Sequence, residues 1–233
     1  MDELSAALLL TAVGVAVTHT LLGPDHYLPF IMLARARHWS WARTLLVTAA
    51  CGLGHVLASV ALGGVGLAIG AGIGSIEATE LGRGDWAAWL LIAFGVAYGV
   101  WGVRRALKER GLEPHPHGGH VHVHTHGAAT HQHGEELPGS SVTFWTLMIA
   151  FVLGPCEPLI PLFLVPASRG RWDVAIVTAV VFSVVTIATM LAATAFALAG
   201  LKKLPLGPLE RWAHTMAGGV VAASGLAIIT LGL

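Results

Sequence analysis

Ionisable side chains lie close together in the first quarter of an otherwise apolar sequence. His19 and His26 are seven residues apart, about two turns of a helix, and Asp25 precedes the second histidine. In the next apolar segment, Cys51 and His55 are four residues apart and share one helix face. An ionisable group in the middle of a bilayer costs about 2.5 to 3.5 kcal/mol on insertion scales. Such residues are therefore candidates for a functional site inside a helix bundle.

A second polar pair interrupts a later apolar segment, where "GPCEP" contains Cys156 and Glu157. Imidazole, carboxylate and thiolate together suit borderline divalent metals such as Ni, Co or Zn, whereas Mg and Ca prefer oxygen ligands. The same residue types also suit a proton relay, because histidine titrates near neutral pH. The predicted metal ligands in the apolar segments are His19, Asp25, His26, His55, Cys156 and Glu157.

A histidine-rich segment, "HPHGGHVHVHTHGAATHQHG", occupies residues 115 to 134 and holds eight of the thirteen histidines. In an extended chain, alternate residues point to one side, so histidines at every second position can share a metal ion. We expect this segment to capture metal ions. The residues assigned to that role are His115, His117, His120, His122, His124, His126, His131 and His133.

The composition places these groups in a membrane protein. Of the 233 residues, 55% are hydrophobic and 11% charged, well below the charged quarter of a typical soluble domain. A spanning helix needs about 20 apolar residues. We therefore predict an all-α integral membrane protein with six spanning helices. The predicted spans are residues 4–33, 42–70, 86–103, 142–167, 174–200 and 212–231.

The distribution of basic residues predicts the orientation of these helices. With the N-terminus outside, the inner ends and loops carry ten Lys and Arg residues, against three at Arg83, Arg169 and Arg171 on the outer side. Because cytoplasmic loops are enriched in Lys and Arg, both termini are predicted outside the plasma membrane. The histidine-rich loop is then cytoplasmic. The first span is expected to be retained, because Asp2 and Glu3 stand where a cleaved signal would be basic.

An internal repeat relates the two polar interruptions. At an offset of 131 residues, "LLGPDHYLPFIML" aligns with "VLGPCEPLIPLFL", and Trp41 aligns with Trp172. Each unit contains three spans, so the second enters the membrane from the opposite side. We predict two inverted three-helix repeats, residues 1–107 and 142–233, joined by a loop at 108–141. Paired Gly/Pro breaks in the first and fourth spans indicate a binding site near the midplane.

Two resemblances follow from these motifs. "HTLLGPDH" and "LGHVLAS" resemble the histidine signatures of nickel/cobalt transporters, although five residues separate His19 from Asp25 where that family has four. Related bacterial efflux permeases also carry a histidine-rich loop. "LGPCEPLIP" resembles the cysteine segments of the thiol-redox membrane proteins of cytochrome c biogenesis. These resemblances imply a grouping with the urease-accessory-type membrane proteins within this superfamily.

We therefore expect a transporter of Ni, Co or Zn ions that works by alternating access and releases protons as the metal binds. It is not expected to be an enzyme or to hold a tight cofactor. Its expected partners are the metal ion, the lipid bilayer and a metallochaperone, with no nucleic acid. The alternatives are a thiol-disulfide electron carrier that uses Cys156, with Cys51 as its candidate partner, and a membrane metal chaperone or urease-type accessory factor.

Overall fold

The computed structural model describes residues 3–70, 73–109, 113–117, 120–124, 140–154, 156–201 and 207–231. Its described residues are mainly helical. The α-helices are α1 (Glu3–Leu22), α2 (Leu28–Ala36), α3 (Trp41–Ala68), α4 (Ile73–Glu109), α5 (Ser140–Leu153), α6 (Leu159–Ser168), α7 (Trp172–Leu201) and α8 (Ala213–Leu231). Short 3₁₀ turns lie at Pro24–His26 and Gly207–Trp212.

Five of these helices are long and apolar enough to cross a bilayer, which confirms a helical protein of membrane type. The five segments are Ser5–Leu22, Trp41–Ala68, Gly74–Lys108, Trp172–Gly200 and Glu210–Thr230. Of the remaining three helices, α5 and α6 contain shorter apolar segments, and α2 has nine residues. Many large apolar side chains on the long helices are exposed, including Leu10 and Phe196, as expected where lipid rather than protein covers the surface.

Both predicted breaks are present, and their helix boundaries repeat at the offset read from the sequence. α1 ends at Leu22 and α5 at Leu153, and the following helices begin at Leu28 and Leu159. The next long helices begin at Trp41 and Trp172, so each of the three pairs of boundaries differs by 131 residues. Proline opens the 3₁₀ turn at the first break, where a missing N–H removes no helical hydrogen bond.

The third span was placed too late in the sequence. Residues 86–103 were predicted, whereas α4 begins at Ile73 and ends at Glu109. The prediction placed Arg83 outside the membrane, before this span. In the structure Arg83 forms an ion pair with the fully buried Glu80. Because the two charges neutralise each other within one helix turn, the helix continues through them.

Part of the histidine-rich loop forms a short antiparallel hairpin, with β1 at Glu113–His117 and β2 at His120–His124. Its backbone register pairs His115 with His122 and His117 with His120. The sequence predicts disorder here without metal, because glycine, proline and charge surround the histidines, whereas residues 113–117 and 120–124 form paired strands. The remaining members of the predicted capture group, His126, His131 and His133, lie outside the described residues.

The two halves of the chain pack through reciprocal contacts. Helix α1 packs on α7 as α5 packs on α3, and α2 packs on α8 as α6 packs on α4. The second and third helices of each half pack on their counterparts, α3 on α7 and α4 on α8. Each of these contacts is therefore preserved when the two halves are exchanged.

Small residues allow the backbones of α4 and α8 to touch. A Cβ at Gly218 would collide with the backbone of Gly95 and Gly99, and one at Gly102 would lie 2.6 Å from the Thr215 nitrogen. Apolar surface gives little drive for helix association in lipid, so membrane helices associate through such close packing. The seam between α4 and α8 thus requires glycine at these positions.

Substituting alanine at Gly218 is expected to destabilise the fold by about 1 to 3 kcal/mol, the range for overpacking a well-packed contact. Gly219→Ala is the matched control, because a methyl group added at this neighbouring residue meets open space. Thermal unfolding of the detergent-purified variants measures both. Equal melting temperatures for the two variants would contradict the close contact at the seam.

Candidate metal centre

Three histidine side chains from separate segments meet inside the bundle. His19 lies in the last turn of α1, His26 in the 3₁₀ turn of the first break and His55 near the middle of α3. The ring centroids are 4.8 Å apart for His19 and His26 and 5.3 Å apart for His26 and His55. One ring nitrogen from each histidine lies within 4.8 Å of the other two. The first break places His26 between the other two rings.

Hydrogen bonds to Nδ1 fix the tautomers of two of these rings. The Nδ1 atom of His26 lies 3.2 Å from the Gly23 carbonyl oxygen, and that of His55 lies 3.2 Å from the Phe151 carbonyl oxygen. Carbonyl oxygens only accept hydrogen bonds, so each Nδ1 carries the proton and donates it. The Nε2 atom of each neutral ring therefore keeps its lone pair. This is the arrangement by which second-shell partners orient metal-binding histidines.

The three Nε2 atoms are buried without a hydrogen-bond partner among the described residues. Leaving a buried polar group unsatisfied costs about 1 to 3 kcal/mol, and here three clustered rings each carry such a group. Nothing in ordinary packing compensates for this arrangement. A ligand that accepts three nitrogen lone pairs, such as a divalent metal ion, would satisfy all three atoms together.

The geometry requires only a modest contraction to bind such an ion. Zinc-bound imidazole nitrogens lie about 2.1 Å from the metal, so tetrahedral coordination places them about 3.4 Å from one another. The nitrogens here lie within 4.8 Å. Small ring movements would therefore bring three ligands to one ion and leave a fourth position open. Open sites of this kind admit exchangeable ligands, whereas closed four-ligand sites are structural.

Asp25 supports the centre from beside His26. Its Oδ1 lies 3.3 Å from the His26 Nδ1, so this carboxylate accepts from the nitrogen that faces away from the three-histidine group. Asp25 and His55 also line a small cavity whose other walls are mainly apolar residues of α4, α5 and α8. The side chain of Asp25 is 19% exposed. It can therefore orient His26 and face an approaching cation from the cavity.

Glycine at each break allows the backbone to approach a histidine of the centre. A Cβ at Gly23 would lie 2.6 Å from the His26 Nδ1 and 2.9 Å from the Asp25 Oδ1. At the second break, a Cβ at Gly154 would lie 3.4 Å from the His55 Nδ1. Gly23 has φ −86°, so the missing side chain, rather than an unusual backbone angle, is what the site requires there.

The other predicted ligands lie elsewhere. The thiol of Cys156 is buried in an apolar cluster with Leu159, Ile160 and Phe163, and Glu157 is exposed. Neither belongs to the three-histidine group. Cys51 and Cys156 are free thiols, and they belong to different core clusters. The structure therefore does not bring Cys156 and Glu157 together with the three histidines.

Two further residues contact the second break and were missed in the sequence. Glu80 is fully buried, and its Oε2 lies 3.3 Å from the backbone nitrogen of Cys156. Arg83 pairs with Glu80 and donates to the Val152 carbonyl oxygen. Their spacing of three residues within an apolar context was an available signal, since opposite charges at this spacing pair on a helix.

Comparison of the chain with protein-family models, curated proteins and solved structures finds no match in any of the three.

Replacing Gly23 with alanine is expected to push the His26 ring away and to weaken metal binding. To remove binding by the loop, the test uses a full-length protein with the eight loop histidines changed to serine, hereafter the serine-loop protein. Co²⁺ affinity should fall by about tenfold or more, as when a ligand loses its orienting contacts. Titration monitored by visible absorption measures it. Gly14→Ala, with open space on α1, is the control, and equal affinities would refute the steric role.

Proposed function

We propose that this protein transports divalent transition-metal ions across a membrane through the three-histidine centre. The observation that carries this proposal is a cluster of three histidines, each with one ring nitrogen within 4.8 Å of the others. Their Nε2 atoms are buried without a hydrogen-bond partner among the described residues. Imidazole ligands suit Ni, Co and Zn, whereas Mg and Ca prefer oxygen. The proposed cargo is therefore one of these three metals.

The position of the centre favours transport over a resident metal. His19 precedes the first break and His26 lies within it. His55 bonds to the Phe151 carbonyl in the turn before the second break. Transporters built from repeats bind their substrate where broken helices from the two repeats meet. An ion held between two breaks has one movable backbone segment on each side, which is the requirement for alternating access.

We further propose the six-span topology with two inverted three-helix units. The coincident helix boundaries at an offset of 131 residues and the reciprocal packing of the two halves support it. In this topology α1 with α2, and α5 with α6, each form one broken span. Both termini lie outside the plasma membrane, as the distribution of basic residues indicates.

Proton coupling follows from the ligand chemistry. Metal binds only to the neutral imidazole, so protonation and metal binding compete at the same nitrogens. Release of the ion on the far side then favours proton uptake by the emptied centre. The proposed cycle exchanges metal against protons.

The histidine-rich hairpin is proposed to hold metal ions at the cytoplasmic entrance. Its register pairs His115 with His122 and His117 with His120, so histidine positions face each other across the two strands. Clusters of closely spaced histidines are typical metal-capture segments. A metallochaperone is the proposed protein partner at this loop, which would deliver or receive the ion there.

Flux through purified protein in liposomes is the decisive test. Ni²⁺, Co²⁺ or Zn²⁺ movement is followed with a metal-sensitive dye, and His26→Asn is expected to reduce it to the level of empty liposomes. His38→Asn is the matched control, because His38 is exposed in the turn after α2 and has φ 52°, which asparagine tolerates. Full flux in His26→Asn would overturn the transport proposal.

Cys156→Ser separates transport from the thiol-redox alternative. We expect the variant to retain at least part of the flux, because the thiol lies in an apolar cluster outside the three-histidine group. Loss of all activity, together with a trapped mixed disulfide to a thioredoxin-like partner, would instead establish an electron carrier. Metal binding that depends on the loop alone, with no flux in any variant, would establish a metal chaperone.

A further inference from the structure

A buried charge pair on α4 contacts the second break. Glu80 has no exposed surface, and its Oε1 pairs with Arg83. Its other carboxylate oxygen lies 3.3 Å from the Ser59 hydroxyl of α3 and 3.3 Å from the Cys156 backbone nitrogen. The carboxylate is thus fully partnered by three different segments.

Arg83 completes the contact with the break. One guanidinium nitrogen pairs with Glu80, and the other donates to the Val152 carbonyl oxygen. That carbonyl belongs to the last turn of α5, where carbonyl groups lack a helical N–H donor four residues later. The Cys156 amide lies on the other side of the break. The charge pair therefore bridges the two ends of the interrupted backbone.

The same turn of α5 also orients the metal centre. The carbonyl of Phe151, next to Val152 in the chain, accepts the hydrogen bond from the His55 Nδ1. Of these two adjacent carbonyls, that of Val152 accepts from Arg83, and that of Phe151 accepts from His55 and from the Gly154 amide. If Val152 loses its partner and the turn rotates, the Phe151 carbonyl moves with it. The Nδ1 of His55 then loses the acceptor that fixes its tautomer.

We infer that Glu80 and Arg83 are positioning residues that latch the second break and thereby hold His55 in its metal-binding tautomer. This inference rests on the proposed role of the three histidines. Stability alone is a weak explanation for the pair, since buried ion pairs often contribute little net stability compared with apolar residues of similar size. Its specific contacts are with the freed backbone groups at the break.

The test removes both charges together in the serine-loop protein. Glu80→Gln with Arg83→Gln leaves no lone buried charge, so the fold is retained more readily than in either single variant. Glu77→Gln with Arg104→Gln is the matched control, since both residues are exposed on α4. Co²⁺ affinity and absorption, melting temperature and the ¹⁵N NMR signals of the His55 ring are measured in each protein.

The latch predicts a Co²⁺ affinity about tenfold lower in the Glu80/Arg83 double variant, the lower end of the effect of losing second-shell partners. The His55 ring should lose its single Nδ1–H tautomer and exchange between two forms. A merely structural pair would change the melting temperature but not the tautomer of His55. The control variant should match the parent in all measurements.

A folded double variant with the parental His55 tautomer and Co²⁺ affinity would overturn the latch. If the double variant fails to fold, Arg83→Lys decides, because it keeps a positive charge beside Glu80 but loses the paired nitrogens that reach Val152. An unchanged His55 signal in Arg83→Lys would also overturn the inference. Absence of Co²⁺ binding in the parent would instead remove the proposed function, while the NMR signals still test the latch.

Discussion

Backbone groups released where a membrane helix is interrupted must find partners inside the protein, because the surrounding lipid offers none. The two breaks in this chain meet that constraint with side chains. At the first break, the Tyr27 hydroxyl donates to the Leu21 carbonyl and the His26 ring donates to the Gly23 carbonyl. At the second, His55 and Arg83 donate to consecutive carbonyls and Glu80 accepts from an amide.

Using histidine for this task has a chemical consequence. An imidazole that donates from Nδ1 to a carbonyl presents a lone pair at Nε2, which is the atom that binds metal. His26 and His55 therefore act as partners of the broken backbone and as candidate metal ligands at the same time. A change in either break would alter the orientation of a ligand, and a bound ion would in turn restrain both breaks. Each break is thus linked to the three-histidine centre by a hydrogen bond from a ring Nδ1 atom to a carbonyl.

The sequence predicted the parts of this arrangement that depend on local chemistry. Glycine and proline gave the location of both breaks, and the offset of 131 residues reproduced the helix boundaries on either side. The rarity of ionisable groups in apolar segments identified His19, His26 and His55. The convergence of the three rings was not predictable, because it depends on a 3₁₀ turn after α1 that rotates His26 relative to the helix.

Side-chain direction and long-range pairing account for what the sequence did not reveal. Arg83 was predicted only to lie on the outer side, and Glu80 carried no prediction, because their contacts with the broken helix depend on the packing of α4 against α5. Cys156 occupies the repeat position of Asp25, yet its thiol enters an apolar cluster. A repeat alignment transfers backbone geometry, whereas the environment of each side chain depends on neighbours that differ between the halves.

The two halves therefore contribute different groups to the site and to the second break. The first half supplies all three imidazoles and the carboxylate beside them, as well as Glu80 and Arg83, which reach across to the second break. The second half supplies the carbonyls of Phe151 and Val152 that receive these groups. Its own break carries no member of the three-histidine group. Side chains of the first half thus pair backbone groups on both sides of the second break, while the Gly154 amide closes the end of α5 through its own bonds to Ala150 and Phe151.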